Sequence, residues 1–274
     1  MVVGLGKYQD INEAYPLDKK TLNKIALRSL FANVSFNGES LSSIGWLWAI
    51  EPGLKKIHTN EEDLALSRGH NLELVSAQSM LSPLAMGVVL ALEQQKAELE
   101  TIRGARTMAS SLADGLGLGI WRFMIIPLAC ALAIPFAQNG ALWFVLVVAL
   151  VAFILNLLCR ILSLRYGYAK AMRAIEGLQK HKEGLMKAVR GAGVVCLGAL
   201  VIALTMAVAP SLNGITASSA TTVDWNLNRI LPGILPLCIL WLVYTLLQKN
   251  WSMGKLFALL LAISLCLGLI GNLF

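Results

Sequence analysis

The sequence predicts an all-α, polytopic membrane protein. About five C-terminal transmembrane helices occupy residues 116–274, around a basic segment at 160–190, and residues 1–115 form an N-terminal part of amphipathic and broken or re-entrant helices. Three observations predict it. Hydrophobic residues fill 57% of the 274 positions and charged ones only 14%, with a mean hydropathy of +0.67. A soluble domain is roughly 45–50% apolar and about 25% charged. Apolar runs of spanning length recur after residue 115, and the bases gather in one inter-run loop and are missing from the next, which is how membrane topology is encoded.

The N-terminal part mixes 11 basic with 13 acidic residues. Its opening, MVVGLGKYQDINEAYPLDKK, is too polar for a cleavable signal. LFANVSFNGESLSSIGWLWAI (30–50) reads as an amphipathic helix, with Trp46 and Trp48 suited to a bilayer interface. ELVSAQSMLSPLAMGVVLALE (73–93) is apolar after Ser79 and broken at Pro83. A re-entrant or broken helix, covered by protein or a water-filled cavity, fits it, with a buried helix as the alternative.

The first span, 117–137, is interrupted by Arg122, Pro127 and Pro135, and a short QNG turn follows. The runs at 141–159, 192–210, 230–247 and 256–274 are uninterrupted by charge. Residues 160–190 carry eight Lys and Arg against two acids and read as a basic amphipathic helix on the cytoplasmic surface. The base-free SLNGITASSATTVDWNLN (211–228) then faces outward, the N-terminus lies inside, and the C-terminus ends outside.

The formal charge of +7 belongs to this topology rather than to nucleic acid, because the bases sit beside apolar spans and no aromatic RNA-type motif accompanies them. The five cysteines all lie in or at the ends of apolar runs, without CxxC or Cys/His spacing, and read as small buried hydrophobes. His58, His70 and His181 lack metal-ligand or nucleophile–base spacing. His58 and His70 flank the acidic TNEEDLALSRG and read as surface residues, and His181 reads as solvated. There is no Walker A motif, and nothing points to a catalytic group, a metal or a cofactor.

SSLADGLGLGIWRFMIIPL (110–128) places an acid, alternate glycines and an arginine beside an apolar run. Its GxGxG lacks the dinucleotide spacing and any preceding strand. Small residues pack membrane helices closely, whereas ionisable residues at membrane depth line cavities or meet partners. Asp114 and Arg122 are therefore candidates for a solute path or for helix packing.

SFNGESLSSIGWLWAIEPGLKK resembles the start of the IID component of the mannose/fructose/sorbose family of bacterial phosphotransferase-system (PTS) sugar permeases. Ser35, Asn37, Glu39, Gly45, Pro52, Leu54, Lys55 and Lys56 stand at the family spacing. NLEL (71–74), GVVLALEQQ (87–95), RYGYAK (165–170) and LPGILPL (231–237) resemble further family stretches in the same order. Gly38 and Ser40 depart from the family's Tyr and Arg, Gln78 replaces its histidine, and Asp114 sits three positions earlier than its acid. These departures fit a branch handling an amino sugar, sugar acid or glycated amino compound.

The resemblance implies a non-catalytic, non-phosphorylated subunit in the bacterial cytoplasmic (inner) membrane. It pairs with a IIC membrane subunit, typically as a trimer of IIC–IID pairs in the lipid bilayer. Sugar crosses the pair and is phosphorylated by a transient IIB partner, with phosphoenolpyruvate as the ultimate donor. Asn37, Glu39, Gln78, Asp114 and Arg122 are substrate-path or helix-packing candidates. Lys55, Lys56, Lys170 and Arg173 are candidates for contact with IIB or with lipid headgroups. A stand-alone secondary transporter or channel for a small polar solute is the alternative.

Overall fold

The computed structural model describes residues 8–75 and 80–216, together with scattered positions between 241 and 265. Every regular element among them is helical. The chain divides into two compact units, Met1–Ile126 with Ala149–Val195, and Pro127–Val148 with Cys196–Phe274.

The first unit begins with α1 (Lys19–Arg28), which runs into a single 3-10 turn at Ser29–Phe31. The helix expected over 30–50 starts only at Ser43, as α2 (Ser43–Ile57). Before it the chain turns at SFNG, where Asn37 and Leu41 exchange backbone hydrogen bonds of 3.0 and 3.1 Å. Leu41, at φ 54°, then lets Ser42 reach the Val75 carbonyl. Gly45 explains why α2 can start there, because a Cβ on it would lie 2.0 Å from the Ala32 carbonyl oxygen.

Trp46, expected at an interface, is instead fully buried and donates from its indole nitrogen to Asn71 (3.1 Å), whereas Trp48 is exposed. Pro52 lies inside α2. It removes the N–H that would bond the Trp48 carbonyl, and Arg28 donates to that oxygen in its place (3.1 Å).

The next helix, α3 (Glu61–Asn71), opens on an Asn60 cap that accepts from the Glu62 N–H. The following helix, α4 (Ser82–Gln94), is buried from Ser82 through Glu93. Pro83 does not break it, because it occupies the first turn, where the missing N–H has no partner to lose. Over Ser82–Gln94 the expected break is therefore absent, and the helix is covered by protein.

α5 (Leu99–Ile120) folds back against α4 and continues through a π turn, Trp121–Ile125, into α6 (Ile126–Gln138). The expected interruption of the first span is thus absent. The helix is continuous over 40 residues, Leu99–Gln138. A proline at 127 clashes with the carbonyl four residues earlier in a regular helix, and the π turn just before it absorbs that clash.

Gly140, at φ 75°, makes the turn into α7 (Leu142–Lys170). α8 (Met172–Thr216) follows after one residue, Ala171, at φ 46°. The basic 160–190 stretch is therefore not a separate surface helix. It is the end of α7 and the beginning of α8, because the only departure from helical geometry between them is that single left-handed residue.

Among the described residues, three helices are long and apolar enough to cross a membrane: Leu99–Gln138, Leu142–Lys170 and Met172–Leu204. The expected spans at 230–247 and 256–274 lie largely outside the described residues.

Within the first unit α4 and α7 touch backbone to backbone. A Cβ on Gly87 would lie 2.3 Å from the Leu164 carbonyl oxygen, and one on Gly167 would lie 2.3 Å from that of Leu84. Small residues facing each other at this range replace side-chain packing with direct helix contact.

Candidate functional site

The densest polar cluster gathers around Glu93, in the last turn of α4. The helix is otherwise apolar there, so its one carboxylate is carried into the core and must be satisfied inside it. Five side chains do so. Tyr8 donates to Oε2 at 2.6 Å and His58 Nε2 meets the same oxygen at 2.8 Å. His70 Nε2 (2.8 Å), Ser67 Oγ (2.9 Å) and Asn71 Nδ2 (3.3 Å) surround Oε1.

Burial alone raises a carboxyl pKa. Here the hydrogen bonds from His58, His70 and Tyr8 outweigh it and hold Glu93 below the ordinary carboxylate range. Burial first, then the neighbouring Glu93 charge, pushes the Tyr8 phenol up, so Tyr8 stays a donor.

The second shell fixes the tautomers. His58 Nδ1 lies 3.0 Å from Lys96 Nζ, which can only donate, so His58 accepts there and carries its proton on Nε2, facing Glu93. His70 Nδ1 is buried and has no partner among the described residues, which suits a bare lone pair and again a proton on Nε2. Asn71 cannot turn around, because its Oδ1 already accepts from Trp46. Arg106 bonds the His70 carbonyl and pairs with Glu73 (2.7 Å). The carboxylate has every approach occupied by a donor, so the cluster locks helices together and is saturated against transferring a group.

An N-terminal strap ends on the same cluster. From Tyr8 it runs over Asp63, which accepts from the Gln9 and Asp10 N–H groups, to Ala14, whose N–H bonds the Gln94 carbonyl (2.9 Å). Leu17 then donates to the Tyr168 hydroxyl (2.7 Å), which itself donates to Gln94.

His58 and His70, expected at the surface, are thus 2% and 1% exposed. Of the acids between them, Glu61 and Glu62 are exposed on α3 and Asp63 is buried under the strap, whereas His58 caps α2 and His70 closes α3, and both turn inward to Glu93. His181 is exposed, as expected.

The other candidates do not converge on one place. Asn37 Oδ1 accepts from the Glu39 N–H (3.1 Å), the Ser40 N–H (2.7 Å) and the Ser40 hydroxyl (3.0 Å), so it builds the turn, and Glu39 is exposed. Gln78 lies outside the described residues. Asp114 is half-buried on α5, and Arg122 is exposed on the π turn.

Lys55 pairs with Glu51 (3.4 Å), which also binds Arg68. Lys56 pairs with Asp18 (2.6 Å), whose carboxyl is held at about 2 by hydrogen bonds from Lys56 and Thr21. Lys170 and Arg173 are exposed on either side of Ala171.

Sequence reasoning did not assemble the Glu93 cluster. The signal was a lone acid ending an apolar helix, and that acid lies within GVVLALEQQ, while Asn71 lies within NLEL and Tyr168 within RYGYAK.

Comparison with known proteins gives this arrangement a context. The family described as PTS system mannose/fructose/sorbose family IID component matches residues 16–273. The PTS system mannose-specific EIID component of Escherichia coli (strain K12) is 26% identical, over 93% of this chain and 95% of its own length. The fructose permease IID component of Bacillus subtilis (strain 168) is 27% identical over 85% and 89%.

Two solved structures share the fold. One chain of the complex of the mannose transporter ManYZ with microcin E492 matches at a TM-score of 0.54 and 22% identity, covering 92% of this chain and 96% of that one. A chain described only as a membrane protein matches at 0.70 and 19%, covering 94% and 98%. With the family matched from residue 16 to residue 273, this chain belongs to the IID components of the mannose/fructose/sorbose PTS family.

Proposed function

We propose that this IID subunit forms, with a IIC membrane partner, the path by which a sugar enters a bacterial cell, coupled to phosphorylation by a IIB protein. The observation that carries this reading is the family match over nearly the whole chain, in a protein whose buried polar centre is saturated rather than reactive. The relatives are named for mannose, fructose and sorbose. The substrate here is a sugar or sugar derivative of that size.

The subunit lies in the cytoplasmic membrane with its N-terminus inside and its C-terminus outside, and IIC–IID pairs assemble as trimers. α7 leaves much apolar surface uncovered. Leu146 and Leu150, for instance, are 72% and 58% exposed, which suits contact with lipid and a neighbouring subunit. Lys170 and Arg173 are exposed at the α7–α8 junction, which supports a role in meeting IIB or lipid headgroups. Lys55 and Lys56 are less free to do so, being paired within the chain. Arg122, exposed on a π turn within an apolar helix, faces either the IIC partner or the sugar path, because an ionised group there needs a polar neighbour.

The test is uptake in cells carrying or lacking this subunit alongside its IIC and IIB partners, across a sugar panel. Uptake that requires phosphoenolpyruvate and all three subunits is expected. Uptake by vesicles holding this chain alone, with no phosphoryl donor, would overturn the reading in favour of a stand-alone transporter. Arg122→Gln is expected to reduce uptake in the assembled complex. Unchanged uptake and assembly would remove Arg122 from both roles.

A further inference from the structure

The helix α7 carries a depth gauge. Residues 142–159 of α7 carry no charge. At 1.5 Å per residue they rise about 27 Å, close to the roughly 30 Å hydrocarbon core of a bilayer. Arg160, the next residue, therefore marks where α7 leaves the hydrocarbon.

Three hydrogen bonds lay α1 and its flanks along α7 in the opposite direction. Leu17 N–H meets the Tyr168 hydroxyl (2.7 Å), Arg165 donates to Asn23 (2.8 Å), and Arg160 donates to the Ser29 hydroxyl (3.0 Å) and carbonyl (3.1 Å). Ser29 thus sits at the boundary level, Lys20 and Lys24 lie on the headgroup side, and Phe31, Val34 and Phe36 lie on the hydrocarbon side. The sequence of α1 fits this placement. KKTLNKIALR carries four bases and no acid, and apolar residues take over at its end.

An apolar groove opens at that level. It has a volume of about 410 Å³ and is lined by Phe31, Val34, Ser35, Ile44, Gly45 and Trp48. Phe31 is 58% and Val34 80% exposed. At its rim the Arg28 guanidinium lies 4.7 Å from the centre of the Trp48 ring and bonds the carbonyl that Pro52 leaves free. That bond occupies one of five N–H groups, so the charge remains available on the headgroup side.

We propose that this groove holds an acyl chain of an anionic phospholipid, with its phosphate on Arg28 and Lys24 one turn away. Two features favour a lipid over a protein occupant. The groove is continuous in level with the lipid-facing surface of α7, and the Arg28 charge beside it is of the sign that anionic headgroups complement.

The test uses the full chain, with its membrane partner, in vesicles of phosphatidylcholine and phosphatidylglycerol in which one lipid at a time carries brominated acyl chains. Tryptophan quenching is compared between the wild type and Trp48→Phe, so that the difference isolates Trp48. Brominated phosphatidylglycerol is expected to quench Trp48 more than brominated phosphatidylcholine at equal mole fraction. That excess should fall about five-fold in Arg28→Gln, as one base at a membrane surface is worth about 1 kcal/mol. Val34→Glu provides a second variant, because residue 34 is too exposed to threaten folding, and it should remove the excess as well. Equal quenching by the two lipids, an excess that survives in Trp48→Phe or Val34→Glu, or a photo-crosslinker at position 34 that captures the membrane partner instead of lipid would each overturn the proposal.

Discussion

Glu93→Gln changes one oxygen for an amide and leaves the shape of the side chain alone, so its cost is set by the donors around it. If the new NH2 group takes the Oε2 position, the Tyr8 hydroxyl can rotate and accept. His58 cannot, because its Nδ1 already accepts from Lys96. If the NH2 group takes the Oε1 position, Ser67 can turn but Asn71 cannot, being held by Trp46. His70 would then have to move its proton to Nδ1, which is buried without an acceptor. Either way a donor faces a donor.

A lost charge-assisted hydrogen bond costs about 1.5–3 kcal/mol, and a buried donor left unsatisfied costs about 1–3 more. The sum, roughly 2.5–6 kcal/mol, is a large part of a typical stability of about 5–15 kcal/mol. For a chain of this size each kcal/mol moves the melting temperature by about 2–4 °C. A drop of roughly 10 °C is therefore expected in thermal unfolding of the detergent-purified protein. A melting temperature within about 2 °C of the wild type would refute the hydrogen-bond account of this cluster.

The same carboxylate sets an acid limit. Its folded pKa lies below the unfolded value of about 4.3. The stability it contributes is thus complete above that value and lost as pH falls below it. Wild-type melting temperature should decline more steeply below about pH 4.3 than that of Glu93→Gln, as a pH series of melts will show. Gly87→Ala pushes a methyl into the Leu164 carbonyl, and because backbone is the obstacle, the cost should reach at least the roughly 1–3 kcal/mol of core overpacking. A reduced yield of folded protein by size-exclusion chromatography checks it. Tyr168→Phe removes the acceptor for Leu17 and the donor to Gln94. Limited proteolysis should then cut the strap between residues 8 and 18 markedly faster while the rest of the chain keeps its protection.

The long apolar helices among the described residues were legible because their signal is local. The uncharged run before Arg160 and the Asn139–Gly140 turn follow from composition and from the backbone freedom of one glycine. The centre around Glu93 was not, since its partners lie up to 85 positions away, and a single sequence does not show which His faces which acid. His58 and His70 misled because the residues between them are acidic, although of those acids only Glu61 and Glu62 are exposed, and Asp63 is buried like the two histidines. Trp46 misled in a related way. Its neighbour Trp48 does lie at the surface, while Trp46 turns inward to Asn71, a partner 25 positions away. Pro127 read as an interruption because its cost in a regular helix is known, and the π turn that relieves it leaves no mark in composition.

The bond from Leu17 to Tyr168 joins positions 151 residues apart. At ribosomal speeds of about 5–20 residues per second, the second partner emerges about 8–30 s after the first. Throughout that interval the amino-terminal arm is held at its far end by the Asp18–Lys56 pair and not yet by Tyr168. It must be retained on the side of the bilayer where the close of α7 will later arrive, so membrane insertion of the later helices decides whether the earliest-made segment ever finds its place.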